Sequence, residues 1–249
     1  MTKKSLFTAI IVGITISGCT QKESGKTTGS VDNEVKVDSV ELAPCDISVG
    51  GIRFTKSKNG AEQRITLMGD TIKFVAGPQT DYFRSPDGSV VNNSAIAFTE
   101  VDNTLPFTFT AKVQPCFTES GTYSAGVLYA YENDIHCQKL CFEQDEYGDH
   151  RVVSVRTIGT SDDNNHQSIA GQFVYMRLSS DGTTIGSYYS EDGKKWRLAR
   201  LYKNDYPDRL LLGISSQSPK DNEHICYFTE VSLKQEAVAD IRIGNLRSE

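Results

Sequence analysis

The sequence lacks an apolar run long enough to form a transmembrane helix. Such a helix needs about 20 consecutive apolar residues, whereas the longest run here, from Leu6 to Ile16, has about eleven. Enzyme signature motifs are also missing: there is no Gly-x-Ser-x-Gly elbow, no papain-like cysteine context and no Gly-rich phosphate loop. These absences argue against a helix that crosses a bilayer and against the common serine, cysteine and nucleotide-dependent enzymes.

Basic side chains are fewer than acidic ones. The chain has 26 Lys and Arg against 32 Asp and Glu, a formal charge of −6. Removal of a leader that contains Lys3 and Lys4 would leave 24 basic residues against the same 32 acidic ones, or −8. A domain that binds nucleic acid needs an excess of positive charge to neutralise phosphates. We therefore expect no nucleic acid among the partners.

The first residues have the pattern of a secretion signal. Two lysines precede the apolar run, which has the length of a signal-peptide h-region. The run ends in Ile16-Ser-Gly-Cys19, which resembles the lipobox of bacterial lipoproteins. The resemblance implies that residues 1–18 are removed and that Cys19 is lipidated, so that its acyl chains hold the protein to a lipid bilayer. An ordinary signal peptide with an incidental cysteine is the alternative.

The residues after the cysteine set the expected location and the domain limits. Thr20 is not acidic, so the usual signal for retention at the inner membrane is absent. We expect an exported protein, lipid-anchored to the bacterial cell envelope at the outer membrane or cell surface. Residues 20–40 have few large apolar side chains and cannot offset the entropy of ordering. The prediction is a flexible tether at 19–45, a β domain at 46–236 and a C-terminal tail at 237–249.

Five cysteines remain beyond Cys19, and their spacing shows no compact disulfide framework. They are Cys45, Cys116, Cys137, Cys141 and Cys226. An exported protein meets an oxidising compartment, which permits disulfides. An odd number leaves at least one thiol unpaired, and the sequence leaves the pairing open.

The hydrophobic pattern is that of β-strands throughout the domain, without an amphipathic helix longer than two turns. Short alternating runs separated by turn sequences such as Ser180-Asp-Gly182 favour a sandwich over a doubly wound fold. We predict an all-β, two-sheet jelly-roll sandwich. The predicted strands are Arg64–Leu67, Thr71–Val75, Phe107–Val113, Gly126–Tyr131, Lys139–Glu143, Arg151–Ile158, Phe173–Leu178, Thr184–Ser190, Leu210–Ser215 and Ile225–Leu233.

Alternation along these strands separates an apolar side from a polar side, because successive side chains point to opposite faces. Leu140 and Phe142 share one face, and the polar face of that strand carries Lys139 and Glu143. In the same way we expect Arg156 to oppose Val153 and Val155, and Arg177 to oppose Val174, Met176 and Leu178. The polar faces would gather in one shallow groove, a merely solvated surface being the alternative.

A metal site is not expected. Cys137 and Cys141 would be about 13 Å apart on a strand, too far to share a zinc ion at ~2.3 Å from each sulfur or to form a disulfide, whose Cα limit is about 7 Å. His150 and His166 fall in predicted loops without a partner motif. No cofactor is predicted. The remaining alternative is a structural calcium ion held by loop residues Asp162, Asp163 and Asn164.

Acid catalysis has one weak pair of candidates, Glu143 and Asp145. Retaining glycosidases use two carboxyl groups about 5 Å apart, and jelly-roll glucanases of family 16 place them in a Glu-x-Asp-x-Glu strand. Here the sequence Glu143-Gln-Asp145-Glu-Tyr147 resembles that motif at the first two positions and ends in tyrosine. The residue expected to act as the general acid is missing. Asp145 as a polar turn residue is the favoured interpretation.

An aromatic platform for sugars is the third candidate. Tyr188, Tyr189 and the single Trp196 flank the hairpin sequence Ser190-Glu-Asp-Gly-Lys-Lys195. Aromatic rings stack on the apolar face of pyranose rings while nearby polar groups bind hydroxyls. A tryptophan beside a hairpin also serves often as a core residue, which is the alternative here.

Several motifs occur in an order that resembles a known family. They are Asp81-Tyr-Phe-Arg-Ser-Pro-Asp-Gly, Phe107-Thr-Phe-Thr-Ala, the strand with Lys139 and Glu143, Gly159-Thr-Ser-Asp-Asp163, Tyr189-Ser-Glu-Asp-Gly-Lys-Lys-Trp196 and Gln217-Ser-Pro219. Together they resemble the regulation-of-enolase-type concanavalin A-like domains, a family of largely unknown function, over about residues 48–235. The Ser-x-Asp-Gly-x-x-Trp hairpin also resembles the C-terminal sandwich domain of family 43 β-xylosidases. The resemblance implies a jelly roll with a concave face, and Cys137 stands where family members carry an aromatic residue.

These observations favour a membrane-anchored, non-catalytic binding module whose ligand is a carbohydrate. The charged groove residues would bind hydroxyls or a uronic acid, and the tyrosine would stack on a sugar. The alternatives are a structural lipoprotein that binds an envelope protein and, ranked last, a glycoside hydrolase that uses Glu143. The predicted groove residues are Lys139, Glu143, Arg156, Arg177, Tyr189 and Gln217.

Overall fold

The computed structural model describes residues 42–247, which form an almost entirely β structure. The predicted signal peptide at 1–18, Cys19 and most of the predicted tether lie outside the described residues. Among residues 42–247 no helix is long and apolar enough to cross a bilayer. The strands are β1 (Ala43–Val49), β2 (Ile52–Lys58), β3 (Ile65–Met68), β4 (Thr71–Ala76), β5 (Tyr82–Arg84), β6 (Val90–Asn92), β7 (Ile96–Asp102), β8 (Phe107–Pro115), β9 (Ala125–Asn133), β10 (His136–Gln144), β11 (His150–Ile158), β12 (Thr160–Ser168), β13 (Val174–Ser180), β14 (Thr184–Ser190), β15 (Arg197–Lys203), β16 (Arg209–Gln217) and β17 (His224–Lys234).

The strands form two large antiparallel sheets and one small hairpin. The first sheet has eight strands in the order β1-β2-β7-β16-β9-β10-β11-β12, and the second has seven in the order β15-β14-β13-β8-β17-β4-β3. Strands β5 and β6 pair only with each other, as a separate hairpin. The non-consecutive order within each sheet is that of a jelly-roll sandwich. The predicted two-sheet, all-β fold is confirmed.

The main hydrophobic core lies between the two sheets. Leu140 and Phe142 contribute from the eight-stranded sheet, and Phe109, Val174 and Met176 contribute from the seven-stranded sheet. All five side chains are fully buried. The predicted alternation is confirmed for these residues, because every second side chain on a strand faces the partner sheet.

The turn sequences close hairpins as their chemistry predicts. Between β13 and β14, an Asp181 Oδ1 accepts hydrogen bonds from the backbone N–H groups of Thr183 and Thr184 at 2.9 and 2.8 Å. Gly182, between Asp181 and Thr183, has φ of +92°, a conformation that side-chain-bearing residues avoid. These local bonds fix the loop length and thereby the register of the two strands.

Some predicted loops and termini are ordered parts of the sandwich. His150 begins β11, and His166 lies in β12 with the aspartates at 162 and 163, so the prediction of loops there was wrong. Strand β1 begins at Ala43, inside the segment predicted as a tether. In the segment predicted as a tail, Val238 and Leu246 are buried against the outer face of the seven-stranded sheet.

The outer face of the eight-stranded sheet carries a second apolar cluster. This outer-face cluster includes Tyr129, Tyr131, Val153 and Val155, and Tyr82 of the β5–β6 hairpin packs on it. Cys137 and Cys141 are buried in the same cluster. Within residues 42–247 all five cysteines are free thiols: Cys45, Cys116, Cys137, Cys141 and Cys226.

Candidate functional site

The candidate site lies on the outer face of the eight-stranded sheet, beside the hairpin. Strand β10 pairs with β9 and β11 so that Lys139 stands between Tyr129 and Val155. Two residues further along β10, Cys141 stands beside Val153. Since directly paired residues of adjacent strands point to the same side, Lys139 emerges from an apolar floor.

A pocket of about 350 Å³ opens above this floor. Strand residues supply the floor, residues before and within β5 supply one wall, and loop residues before β9 and after β10 complete the lining. The lining residues are Asp81, Phe83, Tyr123, Lys139, Glu143, Asp145, Glu146, Val153, Val155, Asp163, Asn165 and Gln217. Ligand pockets typically have volumes of about 300–1,000 Å³, so this one suits a small ligand or one end of a larger one.

Lys139 and Asp81 form the electrostatic centre of the pocket. Lys139 is 3% exposed, and its Nζ lies 3.2 Å from Oδ1 of Asp81 and 3.4 Å from Oε1 of Gln217. Burial disfavours the charged ammonium, but the neighbouring groups Asp81, Cys141 and Glu143, with Asp81 foremost, together outweigh that effect and raise the pKa of Lys139. The lysine therefore remains charged and donates to two acceptors of the pocket.

Glu143 is a carboxyl with an unusual proton affinity. Burial raises its pKa to about 8; nearby Lys139 opposes the shift, whereas Asp81, Asp163 and Asp145 add to it. The side chain is half-buried at the end of β10. At neutral pH this carboxyl carries a proton for much of the time and can donate a hydrogen bond to a ligand.

Asp163 on the edge strand β12 is the second carboxyl with a raised pKa. Burial is the main cause, with Lys139 opposing it and Asp81 adding to it. Asp163 pairs with Val155, and Asn165 pairs with Val153, so both polar side chains border the apolar floor. They supply one carboxyl and one amide at the exposed side of the pocket.

Asp145 lines the pocket but serves the turn after β10. Its Oδ1 accepts hydrogen bonds at 2.9 Å from the backbone N–H groups of Tyr147 and Asp149, and its Oδ2 contacts the guanidinium of Arg151. The side chain is buried. These three donors hold the carboxylate in place, which fits the turn role that the sequence favoured over catalysis.

Two aromatic residues border the polar groups. The Phe83 ring centroid lies 5.8 Å from Nζ of Lys139, and Tyr123 also lines the pocket. Tyr123 has φ of +64°, a left-handed conformation that is rare for a tyrosine, and its N–H donates to the carbonyl of Gln144 at 2.7 Å. Such backbone conformations occur preferentially at functional sites.

The structure brings together half of the predicted groove residues. Lys139, Glu143 and Gln217 line one pocket, and Asp145 lies beside them. Arg156 is not among them, because Val153 and Val155 of β11 face the pocket and alternation turns Arg156 inward. Its guanidinium binds both carboxylate oxygens of Asp205, at 2.7 and 2.9 Å, and stacks over Tyr202. Placing Arg156 in the groove was wrong.

The other two predicted groove residues belong to the seven-stranded sheet. Tyr189 pairs with Met176 and is buried in the core between the sheets, so its ring cannot stack on a ligand. Arg177 lies on the outer face of that sheet, stacked 3.7 Å over Trp196 and donating to the carbonyl of Gly244 at 2.7 Å. Their assignment to the same groove as Lys139 was wrong, since sequence periodicity assigns a face within a strand but not the sheet that contains the strand.

The structure also answers the calcium alternative. Asp162, Asp163 and Asn164 lie in β12, where alternation sends consecutive side chains to opposite faces. Asp162 pairs with Arg200 across the edge, away from the pocket. Among residues 42–247 no group of three or more His, Cys, Asp or Glu side chains is arranged to hold a metal ion. The proposed calcium loop was wrong.

Eight of the twelve lining residues were not predicted to belong to the site: Asp81, Phe83, Tyr123, Glu146, Val153, Val155, Asp163 and Asn165. Asp81 and Phe83 belong to the first motif of the family resemblance and Asp163 to another, so the ordered motifs contained the signal. Gln217 and Lys139 come from further motifs of the same set. Four of the six motifs therefore meet at this site, whereas no sequence pattern marked Tyr123 or Asn165.

A second hollow, of about 410 Å³, lies at the ends of β7 and β16. Its lining is mostly exposed loop and strand-end surface, and three of its four charged groups already have partners: Arg209 binds Glu100, and Asp102 accepts from Thr104. It contains no aromatic side chain. The pocket at Lys139 has the buried charge, the amides and the aromatic rings that a ligand site needs, and it is the better candidate.

A protein-family model matches residues 59–236, nearly three quarters of the chain, and its description is protein of unknown function, DUF1349. The chain belongs to the DUF1349 family. A search of curated proteins gives no match. The matched range of the DUF1349 domain contains every residue that lines the pocket.

Solved structures share the fold of this DUF1349 domain. A functionally unknown protein from Saccharomyces cerevisiae is 21% identical with a TM-score of 0.65, covering 72% of this chain and 95% of its own. The Bacteroides ovatus protein titled xyloglucan PUL GH43B is 11% identical with a TM-score of 0.55, covering 77% of this chain and 38% of its own. A GH43 protein from Bacillus licheniformis is 13% identical with a TM-score of 0.53, covering 77% of this chain and 38% of its own. This chain thus spans under two fifths of each of these two GH43 chains.

Proposed function

We propose that this protein is a membrane-anchored, non-catalytic module that binds neutral carbohydrate in the pocket around Lys139. The observation that carries the proposal is the composition of that pocket: a buried Lys139–Asp81 pair, the amides of Gln217 and Asn165 and the ring of Phe83, all above an apolar floor. Sugars need donors and acceptors for hydroxyls together with an apolar or aromatic surface for C–H groups.

The charge of the pocket favours a neutral ligand over the uronic acid considered from sequence. Its single lysine is paired, both arginines once expected there lie elsewhere, and carboxyl groups outnumber cations. The carboxyl residues of the lining are Asp81, Glu143, Asp145, Glu146 and Asp163. An excess of acidic groups repels an anionic ligand, whereas carboxylates and a protonated Glu143 can accept from and donate to sugar hydroxyls.

The fold adds support of a weaker kind. One structure with this fold is a GH43 glycoside hydrolase whose active site was engineered to give both endo-xylanase and exo-arabinofuranosidase activity; its identity is 14% and its TM-score 0.55. This chain covers 43% of it. As part of the proposal we place the domain with the regulation-of-enolase-type concanavalin A-like domains that its motifs resemble. Xylan and xyloglucan fragments therefore belong among the first ligands to test.

The proposed anchor is an acylated Cys19, which would hold the module at the bacterial envelope, at the outer membrane or the cell surface. What supports it is the lipobox-like sequence that ends in Cys19. The test is expression of the full-length chain and of Cys19→Ser in a bacterium supplied with an alkyne-labelled palmitate. We expect label and membrane fractionation for the parent and neither for the variant; labelling of both chains would contradict the assignment.

The binding experiment uses the full-length chain and a panel of polysaccharides. The neutral set is xylan, xyloglucan, arabinan, mannan and mixed-linkage glucan, with polygalacturonate as the anionic comparison. We expect affinity electrophoresis to retard the chain in at least one neutral gel and not in polygalacturonate. Gln217→Ala should weaken binding about ten-fold, the effect of one lost hydrogen bond of ~1.4 kcal/mol. Lys195→Ala, an exposed change on the far hairpin, is the matched control.

A second candidate function is glycoside hydrolysis, ranked below binding. The specific observation in its favour is Glu143, whose pKa of about 8 lies in the range of a general acid at neutral pH. Incubation of each panel polysaccharide with the parent and with Glu143→Gln, followed by a reducing-sugar assay, tests it. Hydrolysis that disappears in the variant would favour the enzyme; retention without hydrolysis favours the binding module.

A protein partner in the envelope is the remaining alternative. It would be favoured if the chain co-purified with an envelope protein in a manner that neither sugars nor Gln217→Ala affected. Such a result together with no retardation in any gel would contradict carbohydrate binding.

A further inference from the structure

We infer that the pocket receives the terminal residue of a glycan chain and excludes the chain interior. The inference rests on the proposed carbohydrate function and adds which part of the carbohydrate is recognised. Its basis is the path of residues 80–84, called here the crossing segment, relative to the pocket.

The crossing segment runs obliquely over the outer face of the eight-stranded sheet. At one end Thr80 and Ser218, just beyond β16, exchange two backbone hydrogen bonds of 3.0 Å. At the other end Arg84 receives support from the turn between β11 and β12: its N–H donates to Oγ of Ser161 at 3.0 Å and its Nε to the carbonyl of Gly159 at 2.9 Å. The segment therefore spans the face from a central strand to the edge.

The space between the crossing segment and the sheet is filled. Tyr82 points to the sheet, is 3% exposed and packs edge-on against Tyr129 and Tyr131, with ring centroids 6.0 and 6.2 Å away. Its hydroxyl donates to Oδ1 of Asp134, which also binds Nζ of Lys58 at 2.6 Å. A sugar ring has no path beneath the segment.

The crossing segment consequently closes one side of the pocket. Asp81 and Phe83 form this wall, and Asp81 is tied to the floor through Lys139. The exposed lining residues belong to other elements: Asp163 and Asn165 to edge strand β12, and Glu146 to the turn after β10. A chain interior must enter and leave a site, whereas this pocket has a closed wall and an open rim. A chain end fits, with the rest of the glycan leaving across the rim.

The hydrogen bonds at both ends and in the middle make the wall a fixed part of the fold. Asn92 of β6 adds a bond from its Nδ2 to Asp134 Oδ2 at 3.3 Å, and Asn59 Nδ2 donates to the carbonyl of Asn92 at 2.9 Å. The hairpin is therefore held to the sheet by the buried groups Tyr82, Lys58 and Asp134 and by the bonds of two exposed asparagines. Fixed walls of this kind select ligands by shape before binding occurs.

The experiment compares chain ends with chain interiors at constant sugar mass. Each neutral polysaccharide of the panel is used intact and as its own partial acid hydrolysate, matched for total sugar, in a competition assay with the immobilised full-length protein. Hydrolysis multiplies chain ends without changing the sugar. For the unsubstituted protein we expect the inhibitory potency per gram to rise in proportion to the measured number of chain ends. For Gln217→Ala we expect a lower potency for the intact polymer and for its hydrolysate alike.

Each outcome separates the inference from the function on which it rests. Equal potency per gram for intact and hydrolysed polymer, or stronger inhibition by the intact form, overturns end recognition while leaving carbohydrate binding in place. Failure of both forms of every polymer contradicts the proposed function itself. End-dependent inhibition that is identical in the parent and in Gln217→Ala locates binding outside this pocket and overturns the inference.

Discussion

Lys139 and Asp81, 58 residues apart in the chain, form an ion pair with 3.2 Å between Nζ and Oδ1. The lysine rises from the sheet and the aspartate lies in the crossing segment, so one contact both fastens the wall and sets the charge of the pocket. Gln217 completes the lysine's surroundings at 3.4 Å. Stability and ligand binding are therefore coupled at this pair.

Asp81→Asn should destabilise the fold, because it leaves the buried ammonium of Lys139 without its carboxylate. We expect a loss of about 2–3 kcal/mol in the free energy of unfolding, below the ~3–5 kcal/mol of a fully buried pair because Asp81 is partly exposed. Urea denaturation measures it. The control is Asp46→Asn, whose exposed pair with Arg53 is screened by solvent, so that its loss should change the free energy of unfolding far less; equal losses would contradict the assignment.

Lys58→Met should loosen the β5–β6 hairpin. The Lys58 side chain is fully buried and binds Asp134 at 2.6 Å, so its removal leaves a buried carboxylate short of its cation. We expect a loss of about 3–5 kcal/mol and faster amide hydrogen exchange in residues 80–94. The control is Lys56→Met, two residues before Lys58 in the same strand. It removes a partly exposed pair with Glu100 and should cost about 1 kcal/mol or less. Unchanged exchange in the hairpin would show that the Lys58–Asp134 pair does not hold the hairpin to the sheet.

Glu143 should make the protein less stable as pH rises. Its folded-state pKa of about 8 exceeds the ordinary value of 4.5 because of burial, so the folded state retains a proton that the unfolded chain releases. The stabilisation is complete below about pH 4.5 and is lost as the pH rises through 8. Glu143→Gln removes that loss. The difference in free energy of unfolding between the variant and the parent should therefore be about 1–2 kcal/mol larger at high pH than at low pH, a value that allows for the partial exposure of Glu143.

The measurement for Glu143 is urea denaturation at about pH 5 and about pH 9. Glu146→Gln, an exposed carboxyl at the rim of the same pocket, is the matched control and should follow the parent at both values. A Glu143→Gln variant whose stability ran parallel to that of the parent across this range would show that the carboxyl titrates normally.

Arg177→Lys should affect the C-terminal segment and leave carbohydrate binding unchanged. The guanidinium stacks on Trp196 and donates to the carbonyl of Gly244 on the far side of the sandwich, and lysine cannot reproduce the stacked planar geometry. Because Trp196 is the single tryptophan, a red shift of its fluorescence reports the change directly. A marked loss of polysaccharide retardation with an unchanged emission spectrum would return Arg177 to the ligand site.

The strands and their faces could be predicted where a side of the strand is buried between the sheets. Leu140 and Phe142 face the core and Lys139 faces outward, as alternation requires. The same rule failed for Val153 and Val155, because the outer face of this sheet is itself apolar under the hairpin. Hydrophobicity alone cannot tell a core between sheets from a floor beneath a crossing segment.

Membership of the site could not be predicted from periodicity. Arg177 and Lys139 both occupy outward positions, but one lies in the seven-stranded sheet and the other in the eight-stranded sheet. Strand order decides this, and it depends on long-range pairing such as that of β16 with β7 and β9. The ordered motifs contained more information, since Asp81, Lys139, Asp163 and Gln217 come from four of them.

The most direct test of carbohydrate binding in the pocket around Lys139 is amide hydrogen exchange, measured by mass spectrometry. The full-length chain is compared with and without the partial hydrolysate, from the polysaccharide panel, that binds it best. We expect slower exchange in the segments that line the pocket, at residues 80–84, 139–146 and 161–166, and unchanged exchange around Trp196. Protection confined to the hairpin before Trp196, or to the seven-stranded sheet, would contradict the assignment of the site.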